Sequence, residues 1–197
     1  MLAFSTTSDA EMADAPTVGG TVGGITFGDL QIRKHSSLPS RALWVWHGIS
    51  DGSPSAGTTV ITRGGSDHWD RARAVIMECG SDAGTVLPVF LANGEAGSGA
   101  NPSFSISPSG DADALIAFFA HDTTAGATWT PRTNWDELHE EASGAQNLQC
   151  QWKSDADDTA ASATASNTTG AKLGMAFELQ EVAAPPSGPS PALLYYY

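Results

Sequence analysis

Short apolar runs separated by clusters of glycine, proline and serine set the pattern of this chain. RALWVWHGI (41–49) places Leu43, Val45 and His47 on one side and Trp44, Trp46 and Gly48 on the other. Apolar groups on both faces predict a strand covered on both sides. DGSPSAG (51–57) is turn chemistry, and the β-branched TTVITR (58–63) predicts a second strand. ARAVIMECG (72–80) reads as a strand between glycines, with GGSDHWDR before it as a loop. TVLPVFLANG (85–94) contains Pro88, which removes a ladder donor and predicts an edge or bulged strand. SFSIS (103–107) puts Phe104 and Ile106 on one face. ALIAFFAHD (114–122) opens with seven consecutive apolar residues, the strongest buried-strand signal in the chain. WDELHEEA (135–142) has helical composition over about two turns. NLQCQWK (147–153) alternates, with Leu148, Cys150 and Trp152 opposite polar neighbours. TGAKLGMAFELQEV (169–182) closes the series, with Leu173, Met175, Phe177 and Leu179 on one face. About eight to ten short strands, with no long amphipathic helix, predict an all-β chain: an antiparallel β-sandwich or jelly roll.

The flanks differ from this body. Residues 1–14 are small and polar and read as a loose arm. PTVGGTVGGITFGDLQIRKH, up to residue 35, reads as an irregular extended segment bent at its glycine pairs. The expected organisation is an extended N-terminal arm (1–35), a sandwich domain (36–183), and a proline-rich linker with an aromatic tail (184–197). In the tail, APPSGPSP reads as a stiff or extended linker. Leu193, Leu194, Tyr195, Tyr196 and Tyr197 follow it and have no core of their own to enter. Left exposed, such a segment is adhesive. It is therefore expected to dock on a neighbouring subunit, as an added strand or in a groove. The alternative is that it folds back on its own body.

Composition narrows the function classes. The chain has 197 residues, room for one domain with arms, and a formal charge of −13. Charged residues make up 16% against about 25% in typical soluble proteins, so the surface is neutral-polar as well as acidic. So few bases argue against a nucleic-acid partner. No run reaches the roughly 18 apolar residues of a membrane helix. A hydrophobic content of 41% with six tryptophans is too high for wholesale disorder. MLAFSTTSDAEMADAP lacks the basic start and apolar centre of a signal peptide, so synthesis in a cytoplasm is expected. Cys79 and Cys150 then read as two buried thiols rather than a bridge.

Candidate chemistry is sparse. His35, His47, His68, His121 and His139 show no paired metal-ligand spacing. His121–Asp122 ends a buried strand, where a catalytic pair is conceivable and a solvent-facing strand end is the simpler reading. Asp136, Glu137, Glu140 and Glu141 flank His139 and read as one acidic helical face, not as carboxylates opposed across a cleft. SDADDT (154–159) offers Asp155, Asp157 and Asp158 as hard oxygens but lacks the glycine and glutamate of a calcium loop, so a solvated turn is expected. VGGTVGGITFG has no Gly-Lys-Ser/Thr to hold a phosphate. No cofactor is expected. Trp69, Trp129 and Trp135 sit in or beside loops, where flat rings serve either as a sugar platform or as anchors of a loop onto the body.

The second half carries a resemblance. GDADALIAFFAHD, TWTPRTNWDEL, QCQWKSDADDT, SATASN and GAKLGMAFELQEV follow one another in order. Gly110, Asp111, Thr130, Pro131, Trp135, Trp152 and Thr164 to Met175 match a Gly-Asp turn into an apolar strand, a Thr-Pro-x-x-x-Trp turn, an aromatic-bearing strand and small-residue strands. This resembles a family of β-sandwich domains in phage structural proteins. The resemblance covers about residues 110–182 and departs from the pattern around Ala112–Asp113 and after Pro131. It implies a virion-type sandwich without catalytic residues. The expected function is a non-enzymatic virion protein, first a capsid decoration (cement) protein and next a tail or fibre component. It would be made in the host cytoplasm and placed on the virion surface. Its partners would be the major shell or tail protein and further copies of itself, as an oligomer or lattice subunit. The alternative is a glycan- or receptor-binding module using Trp69, Trp129 and Trp135.

Overall fold

The structure is a computed structural model. It describes residues 1–7, 14–20, 23–55, 57–65, 69–79, 84–109, 114–122, 127–143, 145–155 and 157–183. All regular structure among them is β. In chain order the strands are β1 (Leu2–Thr7), β2 (Thr17–Gly20), β3 (Gly23–His35), β4 (Leu38–Ser55), β5 (Thr59–Thr62), β6 (Arg71–Ile76) and β7 (Gly84–Ala96). They continue as β8 (Ser103–Ser105), β9 (Ala114–Asp122), β10 (Trp129–Pro131), β11 (Asp136–Ser143), β12 (Gln146–Lys153), β13 (Ala160–Ala165) and β14 (Lys172–Ala183). They form a four-stranded sheet β3-β4-β1-β6, a five-stranded sheet β11-β12-β9-β14-β7, a three-stranded sheet β10-β13-β8 and the pair β2-β5. Every pairing is antiparallel.

Alternation along the strands sets three apolar cores between these sheets. Ala3, Leu43, Val45 and Val75 of the four-stranded sheet meet Phe118, Leu148, Met175 and Phe177 of the five-stranded sheet. On the far side of the five-stranded sheet, Ala117, Phe119 and Ala176 pack against Trp129, Ala161 and Ala163 of the three-stranded sheet. On the far side of the four-stranded sheet, Leu2, Phe4, Trp44 and Trp46 are covered by Val18 and Ile61 of the β2-β5 pair. β9 explains its continuous apolar run: it is an inner strand with both faces covered, buried from Leu115 to His121. β4 likewise sends Leu43 and Val45 to one core and Trp44 and Trp46 to another, as its sequence predicts. β7, which carries Pro88, is an edge strand of its sheet.

Two expectations are corrected. Residues 1–14 do not form a loose arm throughout: Leu2–Thr7 is an inner strand, paired from Leu2 to both Trp46 and Ile76 and buried along its whole length. Its small Ala3 and Ser5 fit between two sheets, and Gln146 Nε2 donates to Ser5 Oγ (2.8 Å) across that gap. Residues 17–20 and 23–35 are also paired strands, so the β body begins well before residue 36. Second, 135–142 is not helical. Asp136–Ser143 is an edge strand on β12, with a bulge between Glu137 and His139. Pairing to a buried neighbour outweighs the helix preference of Glu and Leu over so short a span. The alternation of β12 does not separate a buried face from a wet one. Asn147, Gln149 and Gln151 are fully buried. They lie on the side of β12 facing the three-stranded sheet, where Gln151 Nε2 donates to Ser162 O of β13 (2.9 Å).

Candidate functional site

An apolar hollow lies at one end of the five-stranded sheet. Its floor is the ends of strands: Ala114 and Ile116 of β9, Trp152 of β12, Leu179 of β14 and Val86 of β7. Its wall is Met77, Glu78 and Cys79, which follow β6. The volume is about 450 Å³, and a second hollow of about 260 Å³ adjoins it, sharing Met77, Cys79, Val86 and Leu179. Leu138 lines the first hollow and Ile76 the second, 44% and 59% exposed, unusually open for such side chains. The lining is mainly aliphatic, aromatic and thioether, with Glu78 and Glu181 as its carboxylates.

The sulfur groups here are chemically quiet. Both cysteines are free; of the two buried thiols expected, Cys150 is buried and Cys79 only half-buried. The Cys150 thiol donates to the Met77 thioether (2.8 Å). Burial pushes the Cys150 thiol well above its ordinary range, and nearby Cys79 adds to the shift. Burial also raises Cys79, which the amino terminus partly offsets. Both therefore stay protonated near neutrality, which makes them poor nucleophiles. Neither thiol thus offers a thiolate to the hollow.

The opposite end of the same sheet is polar and closed. Asn147, His121 and Lys172 stand in one cross-strand row over β12, β9 and β14, all fully buried. Lys172 Nζ donates to Thr168 O (2.9 Å), and His121 Nε2 faces the Thr169 carbonyl. Burial holds the His121 imidazole below its ordinary pKa; Thr169 and Asp122 oppose the shift, and Lys172 deepens it. Asp122, the next residue, projects from the other face to Arg41 and Arg71. The two side chains diverge, so they form no acid–base pair. The unfolded chain takes up the His121 proton at higher pH than the folded one. Stability is therefore expected to fall as pH drops through about 6.5. Urea midpoints at pH 7.5 and 5.5 check this, and His121→Phe should flatten the dependence.

Asn147 is the anomaly of this row: neither its amide nitrogen nor its amide oxygen has a hydrogen-bond partner. An unpaired buried amide costs about 1–3 kcal/mol. Asn147→Leu is expected to stabilise the protein by about 1 kcal/mol, raising Tm by about 2–4 °C. A lower Tm in differential scanning calorimetry would mean that the amide does work the geometry does not reveal.

The remaining candidates separate. The acidic residues of β11 fall on two faces: Glu137 and Glu140 lie on the side of Gln149 and Gln151, and Glu141 reaches Arg73 (3.8 Å). Glu140 accepts from the Trp129 backbone N–H (2.9 Å); burial nonetheless raises its pKa, with Glu137 adding to the effect. In the 154–159 turn a cation is already supplied by the chain: Lys153 Nζ meets Asp155 (2.9 Å), Asp157 and Asp158 (3.6 Å). Among the described residues no group of three or more His, Cys, Asp or Glu side chains is placed to hold a metal ion. No helix among them is long and apolar enough to cross a membrane.

The loop tryptophans do not assemble into a platform. Trp129 and Trp135 are buried in the core under the three-stranded sheet, and Trp135 Nε1 donates to Asp158 Oδ2 (2.6 Å). Trp69 belongs to the outermost core instead, half-buried and edge-on to Phe4 at 4.9 Å. Trp129 and Trp135 thus pack into one core and Trp69 against another. Leu193, Leu194, Tyr195, Tyr196 and Tyr197 lie outside the described residues. Nothing in the sequence signals the apolar hollow, because its lining comes from six separate segments that only the sheet order brings together.

No family model, curated protein or solved structure matches this chain.

Proposed function

We propose that this chain is a non-enzymatic structural protein of a phage virion, built on a jelly-roll-type sandwich and acting as a capsid decoration (cement) protein. The observation that carries the reading is the apolar hollow beside the exit of β14, from which the chain continues into its proline-rich linker and Leu193–Tyr197. An adhesive terminal segment and an open apolar recess on one layered body suit a subunit that locks onto neighbours. The order of motifs between residues 110 and 182 supports placement among phage structural domains. The mechanism is non-covalent. Burying the tail and recess in the assembled shell stabilises that state by mass action, because only the assembled state is bound. A charge of −13 keeps decorated particles apart and suits an outer surface that does not touch packaged DNA.

The test is mass spectrometry of density-purified phage particles carrying this gene, with copy number measured against the major shell protein. A stoichiometric amount is expected. A few copies per particle would move the assignment to a tail tip or fibre, and absence from particles would remove it.

A further inference from the structure

The reading of the tail as a docking segment leaves its receptor unassigned. We infer that the apolar cleft between the β6 exit and the end of the five-stranded sheet receives Leu193–Tyr197 of a second copy of this chain. The inference rests on that proposed docking role and adds the site.

Size and chemistry match. A cavity of about 150 Å³ accommodates one benzene ring, so a cleft of about 450 Å³ takes about three ring-sized groups. The tail offers two leucines and three tyrosines. Its aliphatic and aromatic surface would cover Trp152, Leu179 and Met77, and would shield the exposed Ile76 and Leu138. Tyrosine hydroxyls are donors, and the carboxylate of Glu78 at the mouth is an acceptor. An acidic edge also selects against a negatively charged occupant, and residues 184–197 contain no Asp or Glu.

The spacer decides which copy. Leu179 and Glu181 line the cleft, and β14 ends at Ala183, so the chain leaves beside its own recess. Residues 184–192 include Pro185, Pro186, Pro189 and Pro191. Nine residues of proline-rich chain extend over about 28 Å at ~3.1 Å each. By its composition, a spacer of that reach favours carrying the leucines and tyrosines past a cleft only two residues upstream of its anchor. It delivers them to the same cleft on a neighbour. Gly188 is the one obvious joint at which a return to the parent body would occur.

The experiment uses the full chain with benzoylphenylalanine at position Tyr196, prepared in natural-abundance and ¹⁵N-labelled forms and mixed at about 100 μM. Irradiation is expected to give dimers whose cross-linked peptides pair the two isotopes and map to residues 75–79 or 136–141. Leu138→Arg and Ile76→Arg alter exposed positions. Each is expected to weaken dimerisation, measured by sedimentation, by at least about ten-fold without changing the melting temperature. Cross-links confined to single-isotope chains would overturn the exchange between copies. Mixed-isotope cross-links to another surface would overturn the cleft as receptor while leaving the docking role intact. A chain that neither cross-links between copies nor dimerises would overturn the inference, whereas the virion assignment is judged separately by particle composition.

Discussion

Gly170→Ala is expected to destabilise the protein by about 3 kcal/mol or more, lowering Tm by about 6–12 °C. Gly170 has φ +87°, in the left-handed region where an L side chain costs about 1–2 kcal/mol. The larger penalty is steric. A Cβ at this position would be driven into the backbone carbonyl of Asp122, 2.9 Å from its carbon and well inside contact with its oxygen. Neither side can yield cheaply. Asp122 N donates to Ala171 O (3.0 Å), and Gly170 N donates to Ser98 Oγ (3.1 Å). Displacing this turn also disturbs the adjoining His121–Thr169 contact and the start of β14. Gly97→Ala is the control, because a Cβ there meets nothing within 4 Å and no unusual φ is involved. Urea unfolding of the two variants should separate them by nearly the whole effect; equal midpoints would disprove the account of the turn.

Trp135→Ala is expected to cost about 3–5 kcal/mol, a drop in Tm of about 10 °C. The ring is 5% exposed and sits in the core beneath the three-stranded sheet. Its indole N–H donates to Asp158 (2.6 Å), a carboxylate also approached by Arg132 (3.4 Å) and Lys153 (3.6 Å). Truncation therefore opens a cavity and removes one partner from a shared acidic group. Trp135→Phe should recover most of the packing and leave the lost hydrogen bond, a residual of about 1 kcal/mol. A sugar-platform ring predicts the reverse pattern: near-unchanged stability for Trp135→Ala and lost glycan binding on an array. Thermal melts of the two variants distinguish these directly.

Strands that bury both faces were the most legible part of the fold. ALIAFFAHD and RALWVWHGI announce their environment because every position must be apolar or small. Pro88 marks an edge because a missing N–H is tolerable there. What misled was polarity taken as exposure. LAFSTT looks like a loose arm because Ser5, Thr6 and Thr7 are polar, yet the small Ser5 fits between two sheets and accepts a hydrogen bond from Gln146 of the facing one. Asn147, Gln149 and Gln151 look solvent-facing until a third sheet covers them. Glu137 and Glu140 favour a helix in isolation; a long-range pairing to β12 overrides that preference. The recess was illegible for a different reason. Trp152, Leu179 and Met77 are ordinary core letters one by one, and their shared partial exposure depends on where strands in two sheets stop.

The placement of β1 and β14 has a bearing on how the chain is made. Each is an inner strand: β1 between β4 and β6, β14 between β9 and β7. On a ribosome the six residues of β1 emerge with neither neighbour present, and Leu2 must wait for Ile76, seventy-four positions behind it in synthesis. β9 and β7 emerge early and are held apart by a slot that only the last strand fills. The four-stranded sheet can add its strands as they emerge, β1 and β3 onto β4 and then β6 onto β1, but the five-stranded sheet cannot close until β14 arrives, and closing such distant pairs is slow. During that interval β7 and β9 offer unpaired, apolar strand edges to other nascent chains. Yield in a heterologous host should therefore depend more on the rate of translation and on chaperone supply than on the stability of the finished protein.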